Sequence, residues 1–420
     1  MRIDDAGEIL GNKIRALMKM RGWSRLSQAQ MLSIPYIAKG YNTLVIAPTG
    51  YGKTEAAILP ILDALSTNGY KPVAVLYITP LKALINDLAS RIEWWASKLG
   101  VSVARKHGDV PQSEKARRLR KVPHIMILTP ESLEIDLDWA SRFRRHYKNL
   151  QWVIVDEIHE LVASKRGAQL SILLERLRRY VGRDFQVIGL SATVENPDRV
   201  ARMIFGSSRR PSIIISPQIE RDIELHVRYV PEDKDAWMQA ARTVVEELDP
   251  PSLIFVNSRF TAERLHEALE KLGVKDVFVH HSSVARAKRE EAEKKLREGK
   301  LRAIICTKTL ELGIDAGEVK SVIVFRPPGS AISLLQRIGR SGHSLEGNPK
   351  GGVIGIGIMD LLENLATVRL ALRRELEPPL IPRKPLDVVA RELIGMCLQC
   401  KRISLSYALN VIRGSCLYRN

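Results

Sequence analysis

The feature that most constrains this chain lies near its start. Residues 44–47 are a short, β-rich apolar run that passes directly into Pro48-Thr49-Gly50-Tyr51-Gly52-Lys53-Thr54 and then the helix-forming Glu55-Ala56-Ala57. Strand, glycine loop and helix in that order let backbone N–H groups curl around phosphate oxygens at a positive helix N-terminus. Gly50 and Gly52 supply the freedom to curl, Lys53 can neutralise the β- and γ-phosphates, and the Thr54 hydroxyl can reach magnesium. The strict G-x-x-x-x-G-K-T pattern is not met, because Ala47 holds its first position, and Tyr51 is expected to point outward. A chance glycine turn is the bland alternative, and the flanking strand and helix argue against it.

The rest of the chain repeats the strand–helix alternation that such a loop requires. Runs at 44–47, 73–78, 101–104, 125–128, 152–155 and 186–190 are nearly continuous in apolar character, as strands buried on both faces of a parallel sheet are. Amphipathic stretches at 81–99 and 169–180 separate them as βαβ crossovers. A second series follows at 253–256, 277–280, 303–306, 322–325 and 353–358, with helices at 261–272 and 286–298. The expected organisation is a first α/β domain at 1–205, a connecting segment at 206–250, a second α/β domain at 251–365 and a helical section at 366–420.

Length and composition agree with that division. At 420 residues and 45% hydrophobic, the chain has material for more than one core, and 65 Lys+Arg against 47 Asp+Glu give a net charge of +18. That excess suggests a polyanionic partner, although it also serves solubility. Aromatic residues are only 5%, so a nucleic acid would be followed along its phosphates more than by base stacking. No secretory h-region and no membrane-length apolar run occur, and four cysteines make no disulfide framework; a soluble, intracellular, cytoplasmic protein is expected. Cys397 and Cys400 are spaced C-x-x-C but lack a nearby set of four ligands, so both are expected to be thiols buried on one helix face.

About a hundred residues beyond the loop, the run 152–155 ends in Asp156-Glu157-Ile158-His159. Two acids after a strand are usually a solvated loop. Following a phosphate loop in one parallel sheet, they face the ligand crevice, where Asp156 can hold magnesium through water and Glu157 can activate the attacking water.

These residues also carry a resemblance. The Pro-Thr-Gly-x-Gly-Lys-Thr loop and Asp-Glu-Ile-His resemble motifs I and II of superfamily 2 helicases. The remaining motifs follow in order: Thr79-Pro80-Leu81-Lys82-Ala83-Leu84 looks like Ia, Thr129-Pro130-Glu131-Ser132-Leu133 like Ib and Ser191-Ala192-Thr193 like III. Phe255-Val256-Asn257-Ser258-Arg259 looks like IV, the segment from Thr307 to Asp315 like V, and Gln336-Arg337-Ile338-Gly339-Arg340-Ser341-Gly342-His343 like VI. Within that superfamily the chain is similar to the Lhr (large helicase-related) family, on His107-Gly108-Asp109, Thr129–Glu134 and the His343 that ends motif VI. The segment from Pro385 resembles the start of that family's winged-helix domain. The chain ends at Asn420, where the family continues, so a short member or a truncated product is expected.

The resemblance implies two tandem RecA-like domains and a 3′→5′ ATP-dependent helicase acting on DNA or RNA–DNA hybrids, in DNA repair or recombination. ATP and magnesium are the implied cofactors. Gln30 would read adenine; Thr49, Gly50, Tyr51, Gly52, Lys53 and Thr54 would cradle phosphates; Thr54 and Asp156 would serve the metal. Gly313 and Asp315 would touch nucleotide, and Glu157 would be the activating acid. Arg337 and Arg340 are three apart on a helical stretch beginning near Ser330, so they are expected to share a face, with Arg340 and then Arg337 in the finger role. Nucleic-acid phosphates would meet Thr79, Pro80, Lys82, Thr129, Pro130, Ser132, Ser258, Arg259, Thr307 and Thr309, several of which could equally be helix caps. The basic run 115–121 could extend that track or be a solvated face. A translocase or clamp that does not separate strands, and an RNA helicase, are the alternative functions. The tail, with ten Lys/Arg against four Asp/Glu from Ala366 onward, is expected to pack on the second domain through Leu393, Met396 and Cys397, or to be only a cap.

Overall fold

The computed structural model describes residues 9–48, 50–106, 121–192, 194–217, 222–310, 319–341 and 349–419. Two compact units emerge: Met1–Ala47 with Tyr51–Pro217 and Pro378–Asn420, and Gln218–Glu377 with Pro48–Gly50.

The first unit is built on a seven-stranded sheet in which every pairing is parallel. Its strands are β1 (Asn42–Ile46), β2 (Val75–Ile78), β3 (Val103–Lys106), β4 (Ile125–Leu128), β5 (Trp152–Val155), β6 (Gln186–Ser191) and β7 (Ser212–Ile215), in the spatial order β3-β4-β2-β5-β6-β1-β7. The helices are α1 (Asn12–Met20), α2 (Gln28–Ala38), α3 (Lys53–Asn68), α4 (Lys82–Ser97), α5 (Pro130–Asp138), α6 (Ser141–Arg144), α7 (Ile158–Val162), α8 (Lys165–Val181) and α9 (Pro197–Phe205). β1, β2, β4, β5 and β6 are buried along their whole length, which explains their unbroken apolar runs.

The second unit carries a six-stranded parallel sheet of β8 (Glu224–Val230), β9 (Ser252–Phe255), β10 (Val277–His280), β11 (Ala303–Cys306), β12 (Ser321–Phe325) and β13 (Lys350–Ile356). Their order is β10-β11-β9-β12-β13-β8. Helices α10 (Ala236–Glu247), α11 (Arg259–Lys271), α12 (Arg286–Arg297), α13 (Ala331–Ile338) and α14 (Gly357–Arg373) accompany it. Two apolar clusters, one per sheet face, contain Ile254, Ile305, Ile323 and Phe325 on one side and Leu253, Phe255, Ile304 and Val324 on the other. Both units are thus RecA-like α/β layers.

Residues 206–250, expected as a connection, contribute β7 to the first sheet and β8 and α10 to the second unit. Both strands are sheet edges, and the alternating Glu-Leu-His-Val-Arg-Tyr-Val of β8 reflects partial exposure that lacks the continuous apolar signal of a central strand.

The tail, α15 (Leu386–Cys400) and α16 (Leu405–Gly414), belongs to the first unit; the expectation that it would pack on the second domain is corrected. Val388, Met396, Ala408, Val411 and Ile412 form a cluster with Ala168 and Ile172 of α8. Leu393 is partly buried there, but Cys397 and Cys400 are exposed, contrary to expectation. Polar contacts complete the junction. Arg176 of α8, 1% exposed, donates to Glu392 at 2.8 Å, to Asp138 at 2.6 Å and to Gln399 at 3.0 Å. Burial pushes the Glu392 carboxyl up to about 7, and Arg176 opposes that rise. A Cβ on Gly395 would come within 2.7 Å of the Arg176 guanidinium, so only glycine lets α15 approach this closely.

A buried guanidinium removed from its partners leaves uncompensated charge, whereas an exposed pair contributes little. Arg176→Ala should therefore cost about 3–5 kcal/mol. Lys165→Ala, which breaks the exposed Lys165–Asp387 pair, should cost about 0–1 kcal/mol. Equilibrium denaturation followed by tryptophan fluorescence tests the contrast; equal losses would contradict the clamp.

Candidate active site

The site is assembled at the C-terminal edge of the first sheet. β1 ends at Ile46, and Gly50 and Gly52 take φ of +83° and +69°, backbone that favours glycine, before α3 starts at Lys53. Lys53 is buried and its Nζ donates to the Ala47 carbonyl at 2.7 Å. Ser27 and Gln30 form a capping box at the start of α2. From there Ser27 Oγ donates to the Tyr51 carbonyl at 2.8 Å and Gln30 Nε2 to the Gly52 carbonyl at 3.2 Å. The expected adenine reader is thus in contact with the loop backbone. Tyr51 is buried, a correction to the outward orientation expected for it, and its carbonyl anchors the loop to Ser27.

Asp156 and Glu157 follow β5, next to β2 in the sheet. Asp156 accepts the Glu157 N–H on Oδ1 at 2.8 Å and the Tyr77 hydroxyl on Oδ2 at 2.7 Å. Burial raises Asp156 to about 6, the charge of Glu157 adds to the rise, and the Tyr77 hydroxyl and Lys53 oppose it. Burial, then Asp156, hold the Tyr77 hydroxyl well above the usual range, so Tyr77 keeps its proton and donates; the Thr54 side chain also bonds to that hydroxyl. Both carboxylate oxygens are therefore oriented from within the protein. Thr54 and Asp156 supply hard oxygen donors joined through Tyr77, a sparse set suited to a magnesium ion held largely by phosphates.

Glu157 sits in the left-handed region at φ +48°, a conformation costing a non-glycine residue about 1–2 kcal/mol. Its buried Oε2 has no hydrogen-bond partner among the described residues. The nearest cation-forming group is His159 Nε2 at 3.4 Å. His159 Nδ1 accepts the Ala192 N–H at 3.2 Å, which leaves the proton on Nε2, facing Glu157. Glu157 Oε2, paired with His159 but hydrogen-bonded to no described residue, keeps acceptor capacity for a polar ligand such as water. Tyr77 and His159 were not singled out as site residues. A lone tyrosine within an apolar strand and a histidine after two acids carry no signal of their own.

The expected nucleic-acid residues divide. Thr79 is fully buried, its Oγ1 without a partner among the described residues, and Pro80 is buried, so neither presents its side chain to solvent. Lys82 is exposed at the start of α4. Thr129 is buried and caps α5, accepting the Ser132 N–H at 3.3 Å; Pro130 and Ser132 are buried with it. In the second unit, Ser258 and Arg259 are exposed, Ser258 caps α11 through the Thr261 N–H, and Thr307 is half-buried. Arg337 is buried, donating to Asn257 Oδ1 at 3.3 Å and lying over the Phe255 ring. Arg340 is buried too, but α13 ends at Ile338, so the two arginines do not share a helix face as expected. Thr49, Gly313, Asp315, Thr193, His343, His107-Gly108-Asp109, run residues 115–120 and the Thr309 side chain lie outside the described residues.

The DEAD/DEAH box helicase family model matches residues 27–200 and the helicase conserved C-terminal domain matches 238–344. ATP-dependent helicase Lhr-Core of Methanothermobacter thermautotrophicus is 37% identical over 432 residues, covering 95% of this chain and 50% of that protein. The chain belongs to the Lhr family of superfamily 2 helicases. The Escherichia coli Lhr helicase/uracil glycosylase is 32% identical, covering 90% of this chain and 29% of that protein. The solved structure of Mycobacterium smegmatis helicase Lhr bound to ssDNA and AMP-PNP superposes with a TM-score of 0.86 at 32% identity, covering 98% of this chain and 56% of that one. The chain thus spans about half the length of the archaeal Lhr-Core relatives it matches, and less of the bacterial one.

Tyr77→Phe removes one donor from a buried carboxylate and should cost about 1–3 kcal/mol of stability. Urea denaturation without nucleotide checks this, and a Phe variant as stable as the parent would contradict the orienting role.

Proposed function

We propose that this chain is an ATP-hydrolysing motor core that moves along nucleic acid and separates its strands. The observation that carries the reading is the buried acid pair Asp156-Glu157, with Glu157 Oε2 3.4 Å from His159 Nε2, in the same sheet as the Gly50–Thr54 loop. The Lhr relatives, which their names describe as ATP-dependent helicases, support it.

In this reading Thr49 to Thr54 hold the phosphates, with Lys53 leaving the Ala47 carbonyl for the γ-phosphate, and Gln30 reads the adenine edge. Thr54 and Asp156 hold magnesium, which supplies charge neutralisation on the phosphate oxygens. Glu157 orients and deprotonates the attacking water through Oε2. Arg340, and after it Arg337, stabilise charge that develops on the transferred phosphoryl group, while Gly313 and Asp315 contact nucleotide. Lys82, Thr129, Ser132, Ser258, Arg259, Thr307 and Thr309 serve the nucleic-acid backbone, Thr129 and Ser132 at the capped start of α5. Thr79 and Pro80 are buried, the Thr79 N–H is donated to the Leu128 carbonyl and Pro80 has none, so they serve it by shaping the loop that leads to Lys82. Strand polarity is 3′→5′, on DNA or RNA–DNA hybrids, in repair or recombination, as in the family. Unwinding assays on 3′- and 5′-tailed DNA, RNA and hybrid duplexes test this, and release from 5′-tailed duplexes alone would overturn the polarity.

Three variants test the chemistry. Lys53→Ala should abolish nucleotide binding or turnover. Glu157→Gln should bind ATP and hydrolyse it about 10²–10⁴-fold more slowly. Arg340→Ala should keep ATP affinity and lower turnover at saturation, because its interaction strengthens in the transition state. Near-normal turnover in Glu157→Gln, or a loss in Arg340→Ala confined to affinity, would refute the respective role.

A further inference from the structure

Helix α5 is capped by Thr129, and its four acids are all held by partners within the first unit. Glu131 is paired with Arg166 at 2.7 Å, and Arg166 also donates to the Pro80 carbonyl at 2.7 Å. Asp136 accepts the Tyr147 hydroxyl at 2.6 Å and is paired with Lys106. The other two acids are held directly or indirectly by the tail. Glu134, 4% exposed, receives both Nε and Nη2 of Arg391 on α15, at 2.5 and 2.7 Å. Asp138, at the far end of α5, shares Arg176 with Glu392 of α15.

Glu134 and Asp138 are four apart and lie on one face of α5, and Arg391 and Glu392 are adjacent on α15. The tail therefore holds α5 directly at Glu134 and, through Arg176 of α8, at Asp138 one helical turn on. Two such points oppose rotation and sliding of α5, which a single contact would not. The planar fork of Arg391 adds directional restraint, since two parallel N–H···O bonds fix the orientation of both groups. What this restrains is the start of α5, where Thr129 caps the helix by accepting the Ser132 N–H on its hydroxyl and the Leu133 N–H on its carbonyl.

We propose that α15 is a brace for the nucleic-acid contact at the start of α5, with Arg391 as a positioning residue that acts through Glu134. This rests on the reading of Thr129 and Ser132 as phosphate contacts. Lys53 donates to Ala47, and Asp156 accepts from Tyr77 and the Glu157 N–H, none of them on α5 or α15, so the brace governs engagement of nucleic acid and leaves nucleotide chemistry alone.

The test is steady-state ATP hydrolysis by the full chain, titrated with single-stranded DNA. Arg391→Glu places like charges opposite each other. It should raise the DNA concentration for half-maximal stimulation about fivefold, with turnover in the absence of DNA and the KM for ATP unchanged. The swap Arg391→Glu with Glu134→Arg should restore the parental value. A half-maximal concentration within twofold of the parent overturns the brace. A shift that the swap does not reverse, accompanied by a salt slope reduced by about one unit, assigns Arg391 to direct phosphate contact and also overturns it. If Arg391→Glu does not fold, by circular dichroism, Arg391→Gln is used with the same criteria. A parental enzyme whose turnover does not respond to nucleic acid refutes the functional reading itself, and the brace falls with it.

Discussion

Every pairing in the two sheets is parallel, and this single constraint arranges the rest. Parallel strands need crossovers, so each strand ends at the same edge and hands the chain to a loop there. In the first unit that edge receives the phosphate loop after β1, Thr79-Pro80 after β2, Thr129 after β4, Asp156-Glu157 after β5 and Ala192 after β6. Segments far apart in sequence become neighbours without any further device. Helices α3, α5 and α7 also begin at this edge, so the positive ends of their dipoles collect where phosphates would bind.

That constraint also explains which parts were legible in the sequence. Strands buried on both faces leave unbroken apolar runs, so β2, β4, β5, β6 and the core of the second sheet could be read directly. Two of the four edge strands do not: β7 and β8 are partly exposed and fall in the segment expected as a connection, whereas the edges β3 and β10 overlap runs that read as strands. The phosphate loop and the acid pair were legible because their chemistry needs particular residue types at fixed spacing. Tyr77 was not, since only the pairing of β2 with β5 brings its hydroxyl to Asp156 across 79 residues. Periodicity also failed at Arg340, where the helix stops two residues earlier.

The tail shows the same limit in energetic form. Two amphipathic helices announce an apolar face but not the surface it covers. Arg176 and Glu392 are charged residues within helices, and their separation of 216 residues hides that they pair in the interior. A side chain at Gly395 or Gly414 would strike Arg176 or Glu175. Of the tail's ten basic residues, Arg391 is engaged by Glu134, and Arg419 by the Gly206 and Gly414 carbonyls. The tail is thereby part of the first unit's structure, continuous with the helices that lead to its working edge.

The central claim is that nucleotide turnover at Asp156 and Glu157 is coupled to nucleic acid held at the same edge. Phosphate release, measured while single-stranded DNA is added to the chain with saturating ATP and magnesium, addresses it most directly. Turnover that rises with DNA and reaches a plateau is the expected result. Turnover that stays constant across the whole titration would contradict the coupling.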